Sequence, residues 1–258
     1  MFTDGVAQRL WQDTAPGSED WDFEEQCAEG GMVRNISVPM ITPALPAAPT
    51  ERAIIVLPGG AMHFLSYENE GTMVSELIRE AGIAAFLLKY RVAPTPTDVD
   101  GFNNALRNAF VNGLELTMAA HAPLAINDTE RAINMVRAAG YRHVTLLGFS
   151  AGARVTAEVV LRSPTEQQPD AAALIYLPTV GGCVATASSP PLFIAAAVDD
   201  PLGIEGSIDC FTAWRSAGRP VELHLYEQGS HGFGMRTTGL PVDQWSSAFL
   251  AWHRTRTA

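Results

Sequence analysis

Ser150 stands in Gly148-Phe149-Ser150-Ala151-Gly152, a match to G-x-S-x-G. Ahead of it, the apolar run Val144 to Leu147 reads as a strand buried on both faces. Behind it, Ala151, Val155 and Val159 recur at i, i+4 and i+8, while Arg154, Glu158 and Arg162 share another face as i,i+4 ion pairs. The expected order is strand, tight turn, amphipathic helix. A side chain beside the serine in so sharp a turn collides with neighbouring backbone, which gives the flanking glycines a steric purpose. The turn lifts the hydroxyl above the sheet and leaves the Ala151 N–H among the unpaired donors that open a helix. Ser150 is the candidate nucleophile.

A serine hydroxyl attacks a carbonyl well only when a base takes its proton. For a serine presented in this way, the acid and then the histidine follow in the chain, on loops after later strands. Asp199-Asp200-Pro201 follows the apolar run Leu192 to Val198, and Gly229-Ser230-His231-Gly232-Phe233-Gly234 follows Val221 to Tyr226. His231 is the candidate base. Asp200, directly before the proline where the chain turns away, is the candidate acid. Adjacent residues leaving a strand point apart, so only one of the pair faces His231 well; Asp199 is the alternative, with Glu205 and Asp209 further off.

Charge developing on a carbonyl oxygen needs preorganised N–H donors. The Ala151 N–H is one. The second is expected from Gly60 or Ala61, in the stretch Pro58 to His63 that follows the β-branched run Ala53 to Leu57. Gly59 and Met62, beside them, are candidate substrate-binding residues. No H-E-x-x-H occurs, the six histidines are scattered, and no G-x-G-x-x-G or phosphate-binding loop follows a strand. Neither a metal nor a nucleotide cofactor is expected.

The remaining elements must bring these loops together. Apolar runs at 33–38, 53–57, 83–90, 171–177, 192–198 and 221–226 read as strands, with Pro39 to Pro49 breaking the pattern. Helical patterns cover 71–81, 207–217 and 242–253. Asn127-Asp128-Thr129-Glu130 has the spacing of a capping box that starts a helix ending at Gly140. Strands alternating with helices predict an α/β chain: a central, mostly parallel sheet with helices on both faces. One domain over 1–258 is expected, with an N-terminal arm over 1–30 and a segment at 91–123 that is either a flap over the site or ordinary surface packing.

An apolar fraction of 47% and a charged fraction of 17% suit a globular chain. A net charge of -11 argues against nucleic acid and anionic membrane as partners, and leaves a small-molecule substrate. Oligomeric state stays open. The three cysteines, Cys27, Cys183 and Cys210, lack C-x-x-C spacing and read as free thiols, with one bridge possible in a secreted form. Residues 1–10 lack the basic start and apolar core of a secretory signal, so a cytoplasmic location is expected, a mature secreted form being the alternative.

Taken together, Gly148 to Gly152, Pro58-Gly59-Gly60, Tyr90-Arg91, Asp128-x-x-Arg131-Ala132, Asp199-Asp200-Pro201 and Ser230 to Gly234 resemble the serine esterases of the α/β-hydrolase superfamily. The branch they resemble best is the acetyl-xylan and feruloyl type of carbohydrate esterase; Leu10-Trp11 with Ala15-Pro16-Gly17 is similar to that branch's opening. The resemblance implies an α/β-hydrolase fold, Ser150, Asp200 and His231 as triad, Gly60, Ala61 and Ala151 as oxyanion donors, and Asp128 and Arg131 as helix-start and ion-pair residues. Ala61 and Ala153 replace glycines of the usual pattern, each adding a methyl near the acyl site. The implied activity is hydrolysis of small carboxylic esters through an acyl-enzyme, with acetyl or feruloyl esters of carbohydrates as substrates. An amide or peptide hydrolase on the same triad and a non-catalytic binding module are the alternatives.

Overall fold

A computed structural model describes residues 2–256 apart from Glu29 and Val180. Met1 and Glu29 of the expected arm, and Thr257 and Ala258 of the expected 1–258 unit, lie outside the described residues. The strands are β1 (Gln8–Arg9), β2 (Gln26–Ala28), β3 (Met32–Arg34), β4 (Met40–Ala44), β5 (Arg52–Leu57) and β6 (Leu65–Ser66), followed by β7 (Ala84–Lys89), β8 (His143–Phe149), β9 (Ala171–Ile175), β10 (Leu192–Ala197) and β11 (Val221–Tyr226). The α-helices are α1 (Met73–Glu80), α2 (Val99–Asn112), α3 (Leu114–Ala138), α4 (Ala151–Arg162), α5 (Ile204–Ser216) and α6 (Trp245–Arg254).

Eight strands form one sheet in the order β1-β4-β7-β5-β8-β9-β10-β11. The pairs β1–β4 and β4–β7 are antiparallel and every other pair is parallel. β2, β3 and β6 make a small antiparallel sheet. Alternation along β5 shows how the layers form: Ala53, Ile55 and Leu57 pack with Ile133 of α3 and Val155 of α4, whereas Ile54 and Val56 pack with Val74 of α1 and Phe249 of α6. α5 joins the α3–α4 side through Cys210 and Trp214, against Leu174 and Ile194. Both faces of the central strands β5, β7, β8, β9 and β10 are thereby dry, as their apolar runs require, while the edge strand β11 stays half-exposed.

The strand expected over 33–38 ends at Arg34, where Asn35 turns with φ 57°, and three larger expectations change. Met40–Ala44, read as a break, is β4. Pro43 is tolerated there because β1 pairs only with Met40 and Ile41, so the strand is nearly an edge at that point, and the Pro43 carbonyl accepts the Gly5 N–H at 2.9 Å. The capping box at Asn127 starts nothing: α3 runs unbroken from Leu114 through Pro123 to Ala138. Its polar side chains serve tertiary contacts instead. Asp128, fully buried, accepts from Arg91 Nε at 3.0 Å, Arg91 Nη2 at 2.9 Å and Trp11 Nε1 at 2.9 Å, and the Thr129 hydroxyl donates to Ala125 O at 2.7 Å. Asp128 is thus an ion-pair residue in mid-helix, not at a helix start. Arg131 instead donates to Leu10 O at 2.9 Å, and Arg91 Nη1 to Pro16 O at 2.6 Å, so both arginines pin the arm.

The third change concerns the thiols. Cys183 and Cys210 are joined by a disulfide with Cα atoms 5.1 Å apart, and Cys27 is the exposed free cysteine. A separation of 27 residues in the chain gave no local signal; the pairing depends on α5 packing beside the loop after β9.

Candidate active site

β8 ends at Phe149, α4 begins at Ala151, and Ser150 between them has φ 48° and ψ -114°. A non-glycine residue held there costs roughly 1–3 kcal/mol and persists only where its surroundings enforce it. The Ser150 N–H donates to Ile175 O at 3.0 Å, and the Ser150 carbonyl accepts from Arg154 N–H at 2.9 Å. A Cβ on Gly148 would run into the Gly152 carbonyl, and one on Gly152 into the Leu57 carbonyl. The turn therefore requires glycine at both flanks.

Ser150 Oγ lies 2.7 Å from His231 Nε2, and His231 Nδ1 lies 2.8 Å from Asp200 Oδ2. A neutral imidazole protonated at Nδ1 donates to Asp200 and accepts from the serine hydroxyl. Asp200 is fully buried, and its other oxygen accepts the Leu202 N–H at 2.9 Å. Asp199 is exposed and turned the other way, accepting the Ser230 N–H at 2.8 Å. The His231 ring rests on Tyr176, with centroids 5.0 Å apart.

The loop after β5 is held from several sides. The Tyr90 hydroxyl donates to Pro58 O at 2.5 Å, the Gly59 N–H donates to Glu70 Oε2 at 2.6 Å, and the Gly60 carbonyl accepts His63 N–H at 2.9 Å. Burial pushes the Glu70 carboxyl up, against the pull of its bonds from Tyr176 and Gly59. Gly60, Ala61, Ser150 and His231 share the lining of a cavity of about 470 Å³. Leu106 and Phe110 of α2 and Met118 of α3 line it too, so the 91–123 segment supplies one of its walls. Arg154, on the helix that Ser150 precedes, donates to both Glu115 oxygens at 2.9 and 3.0 Å and to Thr179 O at 2.6 Å, which ties two more lining residues together.

No protein-family model matches the chain. It is 25% identical over 232 residues to an acetylxylan esterase of Xylanibacter ruminicola, an alignment covering 75% of this chain and 43% of that protein. The chain thus spans less than half the length of that curated relative. Among solved structures, an acetyl ester-xyloside bifunctional hydrolase from Caldicellulosiruptor lactoaceticus superposes with a TM-score of 0.74 at 22% identity, covering 99% of this chain and 97% of that one. An α/β hydrolase enzyme from a Medee basin deep-sea metagenome library superposes at 0.66 with 18% identity, covering 84% of this chain and 92% of that one. The chain has the α/β-hydrolase fold.

Within that α/β-hydrolase fold the expected residues divide. Ser150, His231, Gly60 and Ala61 meet at the cavity, Asp200 stands behind His231, and Ala151 follows Ser150 as the first residue of α4. Met62, expected to bind substrate, is fully buried in the core beside Leu65 and Val92, and its carbonyl accepts the Ala93 N–H at 2.7 Å. Gly59 is also buried and lies outside the cavity lining, its N–H bonded to Glu70. Ala153 faces Leu174 and Trp214 in the core, so of the two added methyls only that of Ala61 reaches the cavity.

Sequence reasoning missed Glu70 and Tyr176, and it noted Tyr90 with Arg91 without giving it a role at the site. Glu70 sits in the polar run Tyr67 to Gly71, ahead of an amphipathic helix, where a glutamate reads as surface charge. Only its 4% exposure and its partners show otherwise. Among the described residues no cluster of His, Cys, Asp and Glu could hold a metal ion, and no helix is long and apolar enough to cross a membrane.

Proposed function

We propose that the chain is a serine esterase hydrolysing small carboxylic esters, with acetyl or aromatic acyl esters of carbohydrates as its substrate class. The carrying observation is the hydrogen-bonded line from Ser150 through His231 to the buried Asp200, opening onto a cavity. The chain's similarity to an acetylxylan esterase and to an acetyl ester-xyloside hydrolase supports the choice of acyl and alcohol parts.

The steps follow from the geometry. His231 Nε2 takes the Ser150 proton as Oγ attacks the ester carbonyl, and Asp200 stabilises the imidazolium. Negative charge on the carbonyl oxygen is met by the N–H of Ala151 and that of Gly60 or Ala61. The C–O bond breaks as His231 returns the proton to the departing alcohol. Water, deprotonated by the same imidazole, then releases the acid and restores Ser150.

The disulfide Cys183–Cys210 favours an oxidising compartment over the cytoplasmic location expected from the sequence. The activity is tested by fluorophosphonate labelling with peptide mapping, together with a hydrolysis screen over acetylated sugars, feruloyl esters and p-nitrophenyl esters of increasing length. The expected outcome is one label per chain at Ser150 and turnover of short or aromatic acyl esters. An unlabelled Ser150 in a folded, inert protein would refute the proposal.

A further inference from the structure

One wide π-type turn, Glu68–Thr72, precedes α1 and sets two neighbouring side chains against the two loops that the reaction needs. Asn69 Oδ1 accepts the Met235 N–H at 3.0 Å, on the loop that carries His231. Glu70 accepts the Gly59 N–H through Oε2 at 2.6 Å and the Tyr176 hydroxyl through Oε1 at 2.7 Å. Tyr176 carries this link onward to the His231 ring. A carboxylate at 4% exposure is expensive to bury, and the steps above give it no proton to move. Turns of this width concentrate at functional sites. A Cβ on Gly59 would stand 2.8 Å from Glu70 Oε2 and 2.8 Å from Ser150 Cβ, so that peptide is wedged between the carboxylate and the nucleophile.

We propose that Glu70 is a positioning residue of the oxyanion hole, its carboxylate holding the Gly59 N–H so that the next amides, Gly60 and Ala61, stay aimed at the Ser150 side of the cavity. This rests on the esterase reading of the site. Donors stabilise an oxyanion to the extent that they are aimed before charge develops. Two successive glycines leave a loop free to swing, and an engaged carboxylate removes that freedom. Glu70 touches no reacting atom; it acts through the loop.

The test compares Glu70→Ala and Glu70→Gln with wild type in the full chain, on p-nitrophenyl acetate, with hydrogen exchange at the Gly59 amide followed in parallel. In Glu70→Ala, kcat falls at least tenfold with KM within twofold, and Gly59 exchanges at least tenfold faster. Glu70→Gln keeps one acceptor oxygen and lies between wild type and Ala in both readouts. If the alanine variant does not fold, the glutamine variant decides by the same measures. A kcat within twofold of wild type, a loss carried by KM alone, or unchanged Gly59 exchange overturns the proposal. A wild-type chain inert toward every ester refutes the esterase reading instead, and the exchange data then decide alone whether Glu70 holds the loop.

Discussion

Asp199 and Asp200 are consecutive, yet they grip the loop of His231 at two different atoms. Asp200 Oδ2 faces His231 Nδ1 at 2.8 Å from full burial, and Asp199 Oδ1 accepts the Ser230 N–H at 2.8 Å from an exposed position. One carboxylate orients the imidazole; the other fastens the backbone that carries it.

The pair should therefore separate on substitution. Asp200→Asn disfavours the productive tautomer of His231 and lowers kcat by about three to four orders of magnitude. Asp199→Asn keeps an acceptor for the Ser230 N–H and lowers kcat by about tenfold or less, in line with loss of one charge-assisted bond. Steady-state kinetics on one chromogenic ester checks both, and equal losses would contradict the assignment.

Ala61 holds φ 56° and lines the cavity. A left-handed conformation costs an L-residue roughly 1–2 kcal/mol that glycine does not bear. Ala61→Gly is expected to raise the unfolding midpoint by about 2–4 °C and to improve kcat/KM for bulky acyl groups relative to acetyl. An unchanged acyl preference would show that this methyl does not shape the site.

Arg91 and Asp128 have fully buried side chains joined at 2.9 Å, with further bonds to Pro16 and Trp11. Removing either partner alone strands a charge in the core. Arg91→Met or Asp128→Ala is expected to cost about 3–5 kcal/mol of stability. Denaturant unfolding measures it, and a loss below about 1 kcal/mol would mean that the arm is held by other contacts.

His253, wholly buried in α6, has its pKa lowered to about 4 by burial, with Arg52 and His143 adding to the effect. The unfolded chain takes up this proton near the ordinary value of 6.5, the folded chain only near 4. Stability from this group is complete above pH 6.5 and declines as pH falls toward 4, by about 3 kcal/mol in all. His253→Gln should flatten that slope in unfolding curves taken from pH 7 to 4; an unaltered slope would assign it to other groups.

The disulfide Cys183–Cys210 closes a separation of 27 residues. Reduction or Cys183→Ser is expected to cost about 2–4 kcal/mol, seen as a drop in unfolding midpoint on adding reductant. Alkylation followed by mass measurement, before and after reduction, checks the bond itself, and three free thiols in the untreated protein would disprove it.

What could be read from the chain unaided was whatever depends on near neighbours. Elements with a strong apolar period, such as Val221–Tyr226, stand where expected, and a contiguous five-residue motif between a strand and a helix singled out Ser150. Position after a strand likewise placed His231 and the acid pair in adjoining loops. The tertiary structure settled what depends on partners far away in the chain. Asp128 left its helix-capping pattern because Arg91 and Trp11 compete for its oxygens. Met62 went to the core because the loop at φ 58° turns it inward. Glu70 became a buried acceptor only because Gly59 and Tyr176, 11 and 106 residues away, bring their donors to it. Burial and long-range hydrogen bonding are properties of assembled neighbours, so no local pattern of residue types can specify them.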